Sequence, residues 1–166
     1  MSQSKSKSNG KKKVKIVEVP YKPRTYQQEV HSNLKRFSVL VCHRRFGKSV
    51  LSINELIKTA AGKPRALCAF IAPTYRQGKS IAWEYLKFYT RPLMTWGGSR
   101  NESELRIDLF NGSRIQIFGA DNPDSIRGMG FDGVVLDEYA IMSHRVWTCL
   151  LYKSPIPRDK RQCRMP

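Results

Sequence analysis

Gly47, Lys48 and Ser49 close the segment Cys42-His-Arg-Arg-Phe-Gly-Lys-Ser49. This spacing is that of a phosphate-binding loop, G-x-x-x-x-G-K-[ST], with Cys42 in place of the first glycine. Backbone N–H groups around Gly47 can hold phosphate oxygens, Lys48 can neutralise the β- and γ-phosphates, and the Ser49 hydroxyl can ligate magnesium. The segment therefore predicts a nucleotide site.

Two adjacent acids, Asp137 and Glu138, end the hydrophobic run Gly133-Val-Val-Leu. A strand that delivers them to the carboxyl edge of a sheet lets Asp137 hold magnesium or its water, and lets Glu138 polarise an attacking water. Taken alone, two adjacent acids can also be a solvated strand end. The loop and the acids together favour binding of ATP with Mg²⁺ as the cofactor.

Two further cations, Arg44 and Arg45, lie inside the same loop, next to Phe46. Binding of phosphates needs no cation beyond Lys48, so one of the two can stabilise charge that develops on the transferred phosphoryl group. The alternatives are an ion pair with a surface carboxylate and a contact with DNA. The sequence favours a catalytic role for one of them.

The elements that would position these residues alternate between strand and helix. The pattern predicts a short helix from Thr25, with Thr25 as its N-cap, a helix from Val50 to Ala61 and a helix from Gln77 to about Tyr89. Buried strands are predicted at Phe37–Cys42, Arg65–Ala72 and Gly133–Ala140, and a hairpin around Asn111-Gly112 between Leu105 and Phe118. This order indicates an α/β fold with a mainly parallel sheet flanked by helices and an inserted β-hairpin.

The formal net charge of +17 is concentrated towards the two ends of the chain. Six lysines lie in residues 1–15 and five lysines or arginines in residues 153–166. Residues 1–15 carry too few apolar side chains to offset the entropy of ordering them, which predicts a disordered basic arm. Basic charge of this kind fits a polyanionic partner, and no apolar run is long enough for a membrane span. The four scattered cysteines and the start of the chain predict reduced thiols in the cytoplasm.

At these motifs the sequence resembles the terminase large subunits of tailed bacteriophages. The family's loop reads R-x-x-G-K-[ST] without a leading glycine, which matches Arg44 to Ser49, and the resemblance implies that Arg44 acts in cis during hydrolysis, with Arg45 as the fallback. Tyr26-Gln27 is similar to the family's adenine-reading pair, and a glutamine amide suits ATP over GTP. Further similar segments are Ala72-Pro73-Thr74-Tyr75 and Phe118-Gly119-Ala120.

The resemblance implies a P-loop NTPase of the additional-strand catalytic-glutamate class. The activity it implies is ATP hydrolysis that drives double-stranded DNA into a procapsid. The implied partners are the terminase small subunit and the portal ring. The implied assembly is a homo-oligomeric ring in the host cell cytoplasm, transiently at the portal.

The resemblance covers residues 16–147 as a partial ATPase domain, and 148–166 then form an off-pattern tail. No counterpart of the family's nuclease domain follows, so we expect an incomplete, truncated fold, with no nuclease activity and weak or absent ATPase activity. In this class a strand after the Asp-Glu strand lies between it and the loop strand, and without it the centre of the sheet has a gap.

Two other functions fit parts of the pattern. A helicase-like DNA-dependent ATPase shares the loop and the two acids, but usually keeps the leading glycine and carries a second motor domain. A non-catalytic DNA-binding remnant fits the basic charge without hydrolysis.

Overall fold

The computed structural model describes residues 18–151, which form helices on a five-stranded sheet. The helices are α1 (Thr25–Asn33), α2 (Lys48–Gly62), α3 (Tyr75–Gly78), α4 (Glu84–Met94) and α5 (His144–Leu151). The strands are β1 (Leu67–Ala72), β2 (Ser99–Asn101), β3 (Arg106–Asp108), β4 (Arg114–Gly119) and β5 (Gly133–Leu136). Within this range no helix is long and apolar enough to cross a bilayer.

The sheet is mixed, with strand order β2-β3-β4-β1-β5. Strand β1 pairs in parallel with β4 and with β5, whereas β2-β3 and β3-β4 are antiparallel. The predicted hairpin is confirmed as β3-β4, with Gly112 at φ +78° in its turn. The expectation of a mainly parallel sheet holds only for β4-β1-β5, because the hairpin is part of the main sheet and adds its antiparallel pairs there.

Strand β1 is buried on both faces, which is why it occupies the inside of the sheet. Cys68, Phe70 and Ala72 face one hydrophobic core, which contains the buried side chains of α2 and α4. Ala69 and Ile71 face a second core, which includes the buried Val146 of α5. Helices therefore cover both faces of the sheet, as the alternating sequence pattern predicts.

The predicted strand at Phe37–Cys42 is wrong for the described residues, because this segment is neither helix nor strand. Val39 is 89% exposed and Val41 94% exposed. A strand needs a neighbour for its backbone groups and apolar side chains, and within residues 18–151 the edge strand β5 pairs only with β1 and not with this segment. Residues 37–42 therefore have the apolar composition of a strand, but no described strand lies beside them.

Helix boundaries differ from the sequence prediction in smaller ways. The predicted helix at Gln77 begins earlier and is irregular: α3 continues through a π-helical turn at Lys79–Trp83 into α4. Thr25 is the first residue of α1 rather than its cap, because the backbone N–H of Arg24 donates to Oε1 of Gln27 at 3.0 Å.

Three further differences concern the ends of elements. Strand β2 has no apolar alternation, which is why the sequence did not reveal it. Strand β5 ends at Leu136, before the two acids, whereas the prediction carried it to Ala140. Helix α5 runs to Leu151, beyond the predicted domain boundary at 147, while the predicted arm at 1–15 and residues 152–166 lie outside the described residues.

Candidate functional site

The loop before α2 turns through two left-handed residues. Gly47 is the N-cap of α2 at φ +85°, and Arg45 has φ +67°. A left-handed conformation costs an ordinary residue roughly 1–2 kcal/mol, so the strain at Arg45 marks this turn as a candidate functional feature. No described side chain caps this end of α2. Its first backbone N–H groups, which lack partners inside the helix, are therefore available for an anion.

Helix α1 packs directly on this loop. Nε2 of Gln27 donates to the carbonyl oxygen of Phe46 at 3.2 Å, and Gln27 is only 4% exposed. The ring of Tyr26 lies on the ring of Phe46, with centroids 4.7 Å apart. The two residues that the sequence places upstream of the loop are thus in contact with it.

Sequence reasoning missed one side chain at this contact. The guanidinium of Arg24 donates to the hydroxyl of Tyr26 at 2.6 Å, which adds a cation beside the exposed tyrosine ring. The only available signal was the position of Arg24, two residues before the Tyr-Gln pair.

The two acids lie where β5 ends. The backbone N–H of Asp137 donates to the carbonyl oxygen of Ile71 at 2.9 Å, which extends the β1-β5 ladder by one residue. Glu138 then leaves the strand in a left-handed conformation, φ +54°. The neighbouring carboxylates are therefore held in different environments, with Asp137 half-buried and Glu138 exposed.

The electrostatics of Asp137 connect this strand end to the loop. Burial raises the pKa of Asp137, the charge of Glu138 raises it further, and the ammonium of Lys48 acts in the opposite direction. Lys48 and Asp137, 89 positions apart in the sequence, are therefore close enough to interact. The convergence of the loop and the two acids on one phosphate chain stays a prediction, and this charge effect is consistent with it.

The remaining predicted loop residues are neighbours of Lys48 in the chain. Ser49 lies in the first turn of α2. Arg44 and Arg45 are exposed on the loop.

The chemistry of these donors fits a magnesium triphosphate. The uncapped N–H groups at the start of α2 and the ammonium of Lys48 can bind phosphate oxygens. Magnesium usually takes one or two carboxylates together with phosphate oxygens and keeps several waters. Asp137 is a suitable ligand for such a cation. Burial and the charge of Glu138 disfavour its ionised form, and a nearby cation would stabilise that form.

The comparison with protein families matches residues 41–146 to the model described as "Terminase large subunit, T4likevirus-type, N-terminal". Among curated proteins, the large terminase subunits of Thermus phage G20c and Thermus virus P23-45 are each 26% identical over 154 residues. These matches cover 77% of this chain but 30% of each relative. The chain therefore spans about a third of the length of the curated relatives it matches.

The comparison with solved structures also matches the fold of this chain to large terminases. The large terminase ATPase domain of Thermus phage P74-26 matches with a TM-score of 0.64 and 26% identity, covering 78% of this chain and 59% of that one. The large terminase of another thermophilic bacteriophage, solved in complex with ADP, matches with a TM-score of 0.52 and 18% identity, covering 69% and 29%. The second likeness concerns the fold alone.

Proposed function

The chain belongs to the T4-like-virus-type family of terminase large-subunit N-terminal domains, and from this membership we propose that it binds and hydrolyses ATP as part of a motor that packages double-stranded DNA. The observation that carries the proposal is that the charge of Lys48 lowers the pKa of Asp137, which puts the loop and the end of β5 within electrostatic range of each other. A P-loop NTPase needs these two elements at one phosphate chain. The proposed fold class is the additional-strand catalytic-glutamate class.

The proposed binding residues of ATP and Mg²⁺ lie at the start of α2 and the end of β5. The backbone from Arg45 to Gly47 cradles the phosphates, and Lys48 neutralises the β- and γ-oxygens. Ser49 and Asp137 hold magnesium, which when bound supplies positive charge to the phosphate oxygens. The ADP in the structure of the related thermophilic phage terminase supports a nucleotide as the ligand class.

The proposed hydrolysis uses Glu138 and Arg44. Glu138 orients water and accepts its proton as the water oxygen bonds to the γ-phosphorus and the bond from that phosphorus to the bridging oxygen breaks. Arg44 stabilises the charge on the transferred phosphoryl group, with Arg45 as the alternative. Both arginines are exposed, so either can turn towards the phosphates.

The proposed adenine contacts come from α1. Tyr26 is 37% exposed and rests on Phe46, which provides a surface for a base. Gln27 already uses one amide proton for the Phe46 carbonyl and one lone pair for the N–H of Arg24. One donor and one acceptor remain on its amide for the adenine edge.

The proposed partners follow from family membership and charge. A net charge of +17 favours DNA phosphates through counterion release. The terminase small subunit, the portal ring and further copies in a homo-oligomeric ring are proposed for the whole protein, acting in the host cell cytoplasm and at the procapsid.

Thermal unfolding of the 166-residue chain with and without Mg-ATP tests nucleotide binding. Ligand at 100 times its dissociation constant stabilises by about 2.7 kcal/mol, which for a domain of this size raises Tm by several degrees. Lys48→Ala should abolish the shift, and Lys79→Ala, at an exposed lysine, should retain it. An unchanged Tm for the unsubstituted chain at millimolar Mg-ATP would rule the proposal out.

A second candidate function is binding without turnover, and the exposed segment at residues 37–42 favours it. This segment leads directly into the phosphate loop but has no described strand beside it. A loop base that no strand holds in place can bind ATP and still fail to keep the γ-phosphate in line with water. This candidate would be favoured over the motor if Mg-ATP raised the Tm of the chain but the rate of phosphate release did not exceed that of the Glu138→Gln variant.

A further inference from the structure

Helix α1 is held in place by polar contacts more than by apolar burial. Of its nine residues, Thr25–Asn33, only Gln27 is buried. An isolated helix of this length is marginal in water, so its position depends on what its side chains contact. This position matters because α1 carries Tyr26 and Gln27 to the loop.

Two polar contacts join α1 to the loop and to α2. Gln27 donates to the Phe46 carbonyl at 3.2 Å, and four positions later Nδ1 of His31 lies 2.6 Å from Oε2 of Glu55. Residues four apart share one face of a helix. Glu55 lies seven positions after Lys48, two turns further along α2. The two contacts therefore fix α1 at two points, one on the loop before α2 and one on α2 itself.

The His31 contact is reinforced from its other side. The hydroxyl of Tyr21 lies 3.0 Å from Nε2 of His31, so both ring nitrogens have partners. The carboxylate of Glu55 can only accept, so Nδ1 of His31 donates to it, and the Tyr21 hydroxyl donates to Nε2 on the other side of the ring. The Tyr21 ring also lies edge-on to Tyr89 of α4, with centroids 5.9 Å apart. Burial is the largest cause that raises the pKa of Tyr21, ahead of the effects of Tyr89 and Glu55.

We propose that His31 and Glu55 are positioning residues that hold α1 against α2 and thereby set the preference for adenine over guanine at the loop. The inference rests on the proposed nucleotide site and adds residues that touch no nucleotide. Without the His31–Glu55 contact, the described polar and ring contacts hold α1 at one end, where Tyr26 and Gln27 touch Phe46, so the helix can tilt and shift the amide of Gln27. Discrimination between bases requires a fixed donor and acceptor, because an amide that can turn pairs with either base edge.

The test measures binding of ATP and of GTP, each with magnesium, to the purified full chain by displacement of a fluorescent ATP analogue. Glu55→Ala should weaken ATP binding about tenfold while GTP binding changes little, because the helix loses a hydrogen bond to a charged group. Glu55→Gln keeps an acceptor for His31 and should restore most of the preference. Glu29→Ala removes a carboxylate from the exposed side of α1 and should leave both affinities within about twofold.

The ratio of the two affinities separates positioning from a loss of folded protein. A smaller folded fraction reduces the apparent affinity for ATP and GTP by the same factor, so the ratio stays constant. Tyr21→Phe removes only the hydroxyl from His31 and keeps the ring against Tyr89, so it should lower the ratio by a smaller factor. In a Gln27→Ala background, Glu55→Ala should change the ratio no further, because both act through one amide.

An ATP-to-GTP ratio that stays unchanged in both Glu55→Ala and Tyr21→Phe, in a chain that binds ATP, overturns the positioning role and leaves the proposed function standing. Failure of the unsubstituted chain to bind ATP overturns both.

Discussion

A β-carbon added at Gly47 would lie 2.8 Å from Nε2 of Gln27, closer than a β-carbon packs against any atom. Gly47 also has φ +85°, which L side chains rarely adopt. Helix α1 and the loop therefore approach each other at the one position in the loop that has no side chain. The glycine of the motif serves both the turn and the contact with α1.

Gly47→Ala should lower the free energy of unfolding by about 1–2 kcal/mol from the left-handed backbone alone, and it should abolish stabilisation by Mg-ATP. Urea denaturation with and without nucleotide measures both effects. Gly62→Ala is the matched control in the same helix, because a β-carbon there meets nothing within 4 Å. We expect that control to be neutral or stabilising by up to about 1 kcal/mol.

Asp137→Asn should stabilise the nucleotide-free protein at neutral pH. The folded-state pKa of Asp137 is raised, first by burial and then by Glu138, so the folded state binds its proton more tightly than the unfolded chain does. Ionisation of Asp137 therefore lowers stability once the pH exceeds the unfolded value of 3.8. The penalty is complete above the folded pKa, fades as the pH falls from the folded pKa towards 3.8, and is absent below that value.

Urea midpoints of Asp137→Asn and the unsubstituted chain, compared across a pH series, test this sign. The difference should be largest near neutral pH and shrink as the solution becomes more acidic. With Mg-ATP the order should reverse, because the variant loses a magnesium ligand. A variant less stable than the unsubstituted chain at neutral pH without nucleotide would contradict the assignment.

The two halves of the candidate site could be paired from the sequence because each is specified locally. Gly47 and Lys48 end a turn and begin a helix, and Asp137 and Glu138 end a hydrophobic strand, so each motif is recognisable within a short window. Strand β5 carries the two acids to one edge of the sheet, and Lys48 lowers the pKa of Asp137, although no described strand leads into the loop. The hairpin was predictable for the same local reason, from Asn111-Gly112.

Contacts between distant residues could not be predicted in this way. His31 and Glu55 are 24 positions apart, and in the sequence His31 looks like an ordinary surface or loop histidine. The segment at 37–42 has the β-branched composition of a strand, but whether it pairs depends on a neighbour that its own residues do not specify. Sequence patterns report local preference, and these two features depend on tertiary context.

Ser113→Ala should destabilise the fold although it is far from the loop. The hydroxyl of Ser113, which is fully buried, donates to the carbonyl oxygen of Lys63 at 2.7 Å and accepts from the N–H of Ala66 at 2.9 Å. Without the hydroxyl, the Ala66 N–H keeps only its longer bond to the Lys63 carbonyl, at 3.3 Å, and that carbonyl loses a donor, at a cost of about 0.5–1.5 kcal/mol. Ser125→Ala is the control, because Ser125 is exposed and bonds only within its own turn. Chemical denaturation of both variants, with the control within about 0.5 kcal/mol, provides the measurement.

Val39→Lys and Val41→Lys, made together, should leave the free energy of unfolding within about 0.5 kcal/mol of the unsubstituted chain, because both side chains are almost fully exposed. Ile71→Ala, at a fully buried position of β1, should cost about 2–5 kcal/mol under the same conditions. The lysines should also reduce self-association in sedimentation at high protein concentration, since they replace exposed apolar side chains with charged ones. A loss of more than about 1 kcal/mol in the free energy of unfolding of the double variant would be well outside the range of surface substitutions. It would mean that residues 37–42 pack as a strand in solution. The phosphate loop would then have the rigid base that turnover requires.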